Sequence, residues 1–190
     1  MVHTFSTMLE LGTRAPDFKL PDVISGKEFA LSNVKSDIAT VVMFLSNHCP
    51  YVKHINSQLA KVSDKYISKG ISFVGISAND ADAFPDDAPE KLKKQAERFG
   101  FAFPYLFDET QQVAKAYKAA CTPDFFVFDK DLKLVYRGQF DSSRHKNDIP
   151  VSGKDLSEAL DALIFDKAVN EEQQPSSGCN IKWKKGISPF

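Results

Sequence analysis

The stretch "TVVMFLSNHCPYVKHI", Thr40 to Ile55, changes its periodicity halfway along. Thr40 to Leu45 is apolar and β-branched in part, without alternation, as expected of a central strand buried on both faces. After Cys49 the period becomes helical. Val52, Ile55, Leu59, Val62 and Tyr66 are spaced 3, 4, 3 and 4 and form one apolar stripe, which Gly70 is placed to end. A strand that passes through a short loop into a helix is half of a β–α–β unit, and "ISFVGIS" (71–77) supplies the parallel return strand. Cys49 stands at the handover, at the strand edge where α/β folds tend to hold their ligands.

Working outward, the acidic loop "NDADAFPDDAP" leads into a helix expected over 88–99, with Asp87 and Glu90 as its capping box and Gly100 as its stop. Leu92, Ala96 and Phe99 are its inward stripe. "FPYLFDE" reads as extended, and Thr110 is placed to cap a short helix through Ala119. "DFFVFD" and "LKLVYRGQF" flank a "DKD" turn as an antiparallel hairpin. Ser152 and Asp155 are expected to box a last helix that turns Leu156, Leu160 and Leu163 inward. The first forty residues read as short extended pieces punctuated by Pro16, Pro21 and Gly26. From Glu171 the chain is polar and reads as a tail, although Trp183 is unusual for a disordered one. The expected fold class is α/β, a central mixed sheet flanked by helices on both faces. One domain over 1–170 includes an N-terminal extension over 1–39, and the tail occupies 171–190.

The 24 basic and 25 acidic side chains nearly cancel, a balance that does not suggest nucleic acid or an anionic membrane as main partner, and neither is expected. The longest apolar run, "IATVVMFL", has eight residues, too few to span a bilayer. The start, "MVHTFSTMLELGTRAPDF", has neither the basic region nor the apolar region of a signal peptide, so cytoplasmic residence is expected. Three cysteines, Cys49, Cys121 and Cys179, are too few and too far apart for a disulfide scaffold or a zinc knuckle. In a reducing compartment they are structural thiols or redox thiols.

Cys49 favours the second. A thiol at a helix N-terminus meets unpaired N–H groups and the positive end of the helix dipole, which lower its pKa and expose the nucleophilic thiolate. His48, if protonated, acts in the same direction. "APDFKLPDVISGKEFALSNV", a strand ending in a cysteine before a long helix, and "TPDFFVFDKDLKLVYRGQF" together resemble the thioredoxin-like redoxins. That superfamily includes alkyl hydroperoxide reductases and thiol-specific antioxidants (peroxiredoxins). "NHCPYVKHIN", "AACTPDFFVFD" and "GCNIKWK" resemble a peroxiredoxin-like branch, and the resemblance runs from about Gly12 to Lys184. It implies a thioredoxin-like fold, a cis bond at Thr122–Pro123, and a substrate groove that His48, Pro50, Thr122 and Pro123 help to shape.

The departures from the family pattern matter as much. Where thioredoxins carry Cys-x-x-Cys, this chain has Cys49 first and Val52 in place of the second cysteine. Peroxiredoxins place the peroxide-cleaving cysteine second, within Pro-x-x-x-Thr-x-x-Cys. In that register Cys49 falls on the threonine and Leu45 on the proline. Sliding the motif onto Cys49 gives Ser46 and Val42 instead, so neither register restores the peroxide pocket.

A one-cysteine site needs a second thiol to release its intermediates. Cys121 precedes Pro123 by two residues, but alternation along extended backbone can turn Thr122 rather than Cys121 toward the sulfur. Cys179, in "PSSGCNIKWKKG", is the other candidate, if the tail folds back. A soft-metal site from His48, Cys49, His54 and Cys121 is the weaker reading, because His54 is five residues on, so no metal or other cofactor is expected. His54 is expected to cover the helix surface, and Arg137 to face solvent as strand charges usually do. The leading function is thiol–disulfide oxidoreduction through Cys49, with Cys121 or Cys179 resolving. The partner is then a thiol electron donor or a disulfide-bearing protein. The alternatives are a thiol peroxidase that reduces hydroperoxides through Cys49, and a non-catalytic module that holds an extended peptide beside Pro123.

Overall fold

In the computed structural model, which describes residues 3–187, ten strands and five α-helices follow one another along the described residues. The chain runs β1 (His3–Phe5), β2 (Lys19–Pro21), β3 (Glu28–Ala30), α1 (Leu31–Val34), β4 (Ala39–Phe44) and α2 (Pro50–Ile67). It continues through β5 (Ser72–Ser77), α3 (Pro89–Phe99), β6 (Tyr105–Phe107), α4 (Gln112–Ala116) and β7 (Cys121–Thr122). The last elements are β8 (Asp124–Asp129), β9 (Leu134–Gly138), α5 (Lys154–Ile164) and β10 (Ser177–Asn180).

The central sheet has the order β6-β5-β4-β8-β9. β5 lies parallel to β4 and to β6, while β8 lies antiparallel to β4 and to β9. This mixed sheet is the thioredoxin-like arrangement that the resemblance implies. β4 is buried along its whole length because both of its faces are covered. Val41 and Met43 turn to the side that carries α2, α3 and α5, and Val42 and Phe44 turn to the side that carries α1, α4 and the N-terminal segment. The five stripe residues of α2, Val52, Ile55, Leu59, Val62 and Tyr66, are all buried in the first of these layers. Each buried aliphatic side chain of that kind stabilises the fold by about 1.5–3 kcal/mol.

The caps differ from the expected ones. Asp87 and Glu90 do not box α3: Ala88 is the N-cap, Pro89 opens the helix, and Asp87 is turned inward and fully buried. α4 is shorter than the expected 110–119 because Gln111 and Lys118 at its two ends adopt left-handed backbone, and Asp108 rather than Thr110 accepts the Ala114 N–H at 2.9 Å. At α5 the N-cap is Gly153, and the Ser152 and Gly153 N–H groups are taken by Asp141 at 2.6 Å each. At α4 and α5 a buried carboxylate thus joins the expected local residue, since Thr110 Oγ1 accepts the Gln112 N–H at 3.4 Å and Ser152 Oγ the Lys154 N–H at 3.2 Å, whereas α3 starts without a side-chain cap.

β1 and β10 meet beside β7 in a separate small sheet of order β1-β10-β7, antiparallel throughout. From Ser176 to Ile181 the segment beyond Glu171 is buried or nearly so, and Trp183 packs partly against the second core layer. This small sheet sits over the N-terminus of α2 and sets the geometry of the site.

Candidate active site

Cys49 is the N-cap of α2, and Pro50 takes the first helical position, where a missing N–H costs nothing. The loop before it, Ser46 to His48, is organised by one buried carboxylate. Asp87 accepts hydrogen bonds from Ser46 Oγ (3.0 Å), Asn47 N–H (2.6 Å), His48 N–H (3.1 Å) and Asn79 Nδ2 (2.7 Å). Ser46 Oγ in turn accepts from the Cys49 N–H at 3.1 Å. Asn79 uses its other end to accept the Lys182 N–H at 2.8 Å, which ties the Cys49 loop to the chain just past β10. None of these roles is visible in the sequence, where Asp87 reads as a local cap for the helix that follows.

Thr122 and Cys179 are direct partners across the β7–β10 ladder, so their side chains leave on the same face, while Cys121 points to the other. Cys49 and Cys179 hydrogen-bond to each other. As a thiol, Cys49 can also donate to the Thr122 carbonyl oxygen at 3.1 Å. Gly178 makes this approach possible, since a Cβ there would run into the Thr122 carbonyl oxygen and lie 3.3 Å from Pro123 Cδ. The sequence signal for this was the Gly-Cys pair in a polar tail, too slight to assign. The Thr122–Pro123 bond is cis.

The two sulfurs are shifted in opposite directions. Burial alone would raise the Cys49 thiol, but the hydrogen bond from Cys179, then the Thr122 hydroxyl and the N–H groups of Val52 and Cys179, outweigh it and bring the pKa down to about 6. The Thr122 hydroxyl makes no conventional hydrogen bond among the described residues, which leaves it available to the sulfur. Cys179 is pushed well up, first because it supplies the proton of the shared hydrogen bond and then by burial. The result is a thiolate held by a neighbouring thiol, the resting form a two-cysteine exchange site needs.

Cys121 is placed differently. It is fully buried, its sulfur directed at the Pro123 carbonyl 3.6 Å away, and burial followed by the negative Asp124 pushes its pKa well up despite Arg137. Arg137 does not face solvent. It is fully buried, 3.5 Å from Asp124, with its guanidinium 4.8 Å from the Phe126 ring centre. His48 turns to the acidic loop, 3.9 Å from Asp86 and against Phe84, rather than toward the sulfur. His54 is part-buried and lies 2.8 Å from Ser143 Oγ; Ser143 donates to Ile149 O, so it accepts from His54. Among the described residues no three His, Cys, Asp or Glu side chains gather as metal ligands. The β7 edge beside Pro123, which a peptide-holding module would offer, is already paired with β10.

Three comparisons bear on this arrangement. The family model described as AhpC/TSA matches residues 11–137, a span that contains Cys49 and Cys121 and ends before Cys179. Protein FixW of Rhizobium leguminosarum is 31% identical over 141 residues, which is 70% of this chain and 62% of FixW, so the chain spans less than two thirds of that relative. Thiol-disulfide oxidoreductase ResA of Geobacillus kaustophilus is 28% identical over 151 residues, covering 77% of this chain and 82% of ResA. A crystal structure of an uncharacterized conserved protein from Geobacillus kaustophilus shares 55% identity and a TM-score of 0.97, covering 98% of this chain and 99% of that one.

Proposed function

This chain belongs to the AhpC/TSA family, and from that premise we propose that it is a thiol–disulfide oxidoreductase with Cys49 as attacking thiolate and Cys179 as resolving thiol. The observation that carries the reading is the hydrogen-bonded Cys49–Cys179 pair with its lowered and raised pKa values. The name of the ResA relative supports the same reaction type. Cys121 is set aside as the resolving thiol because it leaves β7 on the opposite face.

The reaction takes two steps. Cys49 thiolate attacks one sulfur of a substrate disulfide, forming a mixed disulfide and expelling the other sulfur as a thiolate, which takes a proton from solvent. Cys179, once deprotonated, attacks the Cys49 sulfur. The Cys49–Cys179 bond forms, the substrate's second thiolate leaves, and two electrons have passed from the dithiol to the substrate. A thiol donor then restores the pair. Cys49 is only 1% exposed and Cys179 3%, so a substrate reaches them when β10 moves. β10 is four residues long and held by two short ladders, which suits local opening.

The test is to add one equivalent of a disulfide to the reduced chain, quench with an alkylating agent, and map the linked peptides by mass spectrometry. A Cys49–Cys179 bond is expected in the native chain, and a mixed disulfide on Cys49 in Cys179→Ser. A bond to Cys121, or no reaction at Cys49, would overturn the assignment. A parallel arm with hydrogen peroxide reads the peroxidase alternative: faster oxidation of Cys49 by peroxide than by the disulfide would favour it.

A further inference from the structure

We propose that His3 accepts the proton of Cys179 in the second step, which makes the N-terminal strand a working part of the site. The proposal rests on the pairing of Cys49 with Cys179 argued above. Three strands put the relevant residues in one row: His3 is the direct partner of Cys179 across β1 and β10, and Cys179 is the partner of Thr122 across β10 and β7. Directly opposed residues leave an antiparallel sheet on one face with Cβ atoms about 4.5–5.5 Å apart, a separation that an imidazole spans. That face looks at the start of α2, since Cys179 meets Cys49 and the His3 ring stacks on Tyr51 at 5.7 Å between centres. Phe5 meets the same ring edge-on at 4.9 Å, so the imidazole is held in position from two sides.

The chemistry needs such a group. In the resting pair the Cys179 proton is shared with the Cys49 anion, and its thiol is pushed well up. Once Cys49 is bound in a mixed disulfide that anion is gone, yet the proton must leave before Cys179 can attack. The other described side chains near Cys179 are poor acceptors. The Lys182 ammonium acts on Cys179 as a positive charge, and the Tyr51 phenol is pushed up, first by burial and then by the neighbouring sulfurs. Thr122 offers a hydroxyl. His145 packs on the Tyr51 ring and His54 is engaged with Ser143, so neither stands in the Cys179 row. An imidazole exchanges protons readily near neutral pH. His3 takes the proton from Cys179 Sγ, the thiolate attacks Cys49 Sγ, the mixed disulfide breaks, and the departing thiolate takes the proton back from the imidazolium. Protons and electrons balance with no further reactant.

The two steps can be read separately with 5,5′-dithiobis(2-nitrobenzoate), which releases one coloured thiolate when Cys49 attacks and a second when Cys179 resolves. In a Cys121→Ala background, His3→Phe keeps an aromatic ring on Tyr51 and is expected to slow the second release relative to the first by about 10²-fold, the lower end of general-base contributions. His3→Ala should behave alike, and added imidazole should restore the second release. Native speed of the second release in His3→Phe overturns the proposal, as does equal slowing of both releases, which marks a role in access alone. A single release from the parent chain would instead remove the Cys49–Cys179 pairing, and the proposal with it.

Discussion

Replacing Cys179 by alanine takes away the donor that most strongly favours the Cys49 thiolate, and the expected size of the effect follows from the site. With a pKa of about 6, Cys49 is about 90% thiolate at pH 7. A hydrogen bond to a charged group contributes about 1.5–3 kcal/mol, and one pKa unit corresponds to about 1.4 kcal/mol, so the midpoint should rise by one to two units. That places it near 7–8 and cuts the thiolate at pH 7 to between about a half and a tenth. The direction is reinforced by the Thr122 carbonyl at 3.1 Å, which accepts from the neutral thiol and not from the anion. Absorbance at 240 nm, titrated from pH 4 to 9, reads the thiolate directly. Cys121 does not interfere in this range, because burial keeps its thiol protonated. Cys179→Ser retains a donor and should shift the midpoint less. Stability provides a second readout. The folded pKa of Cys49 lies below its ordinary 9.0, so its contribution is complete above that value and is lost as pH falls through about 6. Between pH 5 and 7 the parent chain should therefore gain about 1 kcal/mol over Cys179→Ala in unfolding free energy. A midpoint that stays near 6 in Cys179→Ala would refute the reasoning, because the helix terminus alone would then account for the thiolate.

Gly178→Ala forces β10 away from the Thr122 carbonyl, and should destabilise the fold by about 1–3 kcal/mol and slow formation of the Cys49–Cys179 bond, measured by denaturant unfolding and by mass spectrometry after oxidation. Asp87→Ala strands the donors of Ser46, Asn47, His48 and Asn79, and is expected to cost about 3 kcal/mol, with Asp87→Asn milder, on the same denaturant assay. Arg137→Met leaves Asp124 without its counter-charge in the core and should cost about 3–5 kcal/mol. Asp124 itself is raised to about 6, burial outweighing Arg137, so its ionised form opposes folding. As pH falls from 7 to 4 the parent chain should gain about 2 kcal/mol relative to Asp124→Asn, and parallel curves for the two chains would refute this.

The central layer was legible because its residues carry one message at a time. β4 is apolar on both faces and both faces are covered, and the α2 stripe has one period and one buried side. Cys49 was legible for the same reason, as the residue at which the period changes. Cys179 was only a candidate. Ser177–Asn180 has no alternation and no β-branched residue, and it becomes a strand only because β1 and β7 flank it. Asp87 was read as a local helix cap and Arg137 by the default that charges face water, since nothing local reveals that distant Ser46 and Asn79, or Asp124, would meet them. Alternation correctly raised the possibility that Thr122 rather than Cys121 faces the sulfur, but the partner that then fills the gap lay far along the chain.

The small sheet has a consequence for how the molecule comes into being. Its outer strands are residues 3–5 and 121–122, but its middle strand, residues 177–180, follows both in the chain and is translated after them. Chains emerge from the ribosome N-terminus first. The central layer and the α2 terminus can therefore assemble while Cys49 still lacks its thiol neighbour and His3 still lacks a strand to pair with. During that interval the nascent chain presents an uncovered cysteine and an unfilled edge beside Pro123. Arrival of Gly178 and Cys179 closes both at once, so the same short segment that brings a second sulfur to Cys49 also ends the period in which a stray protein could cross-link to the chain.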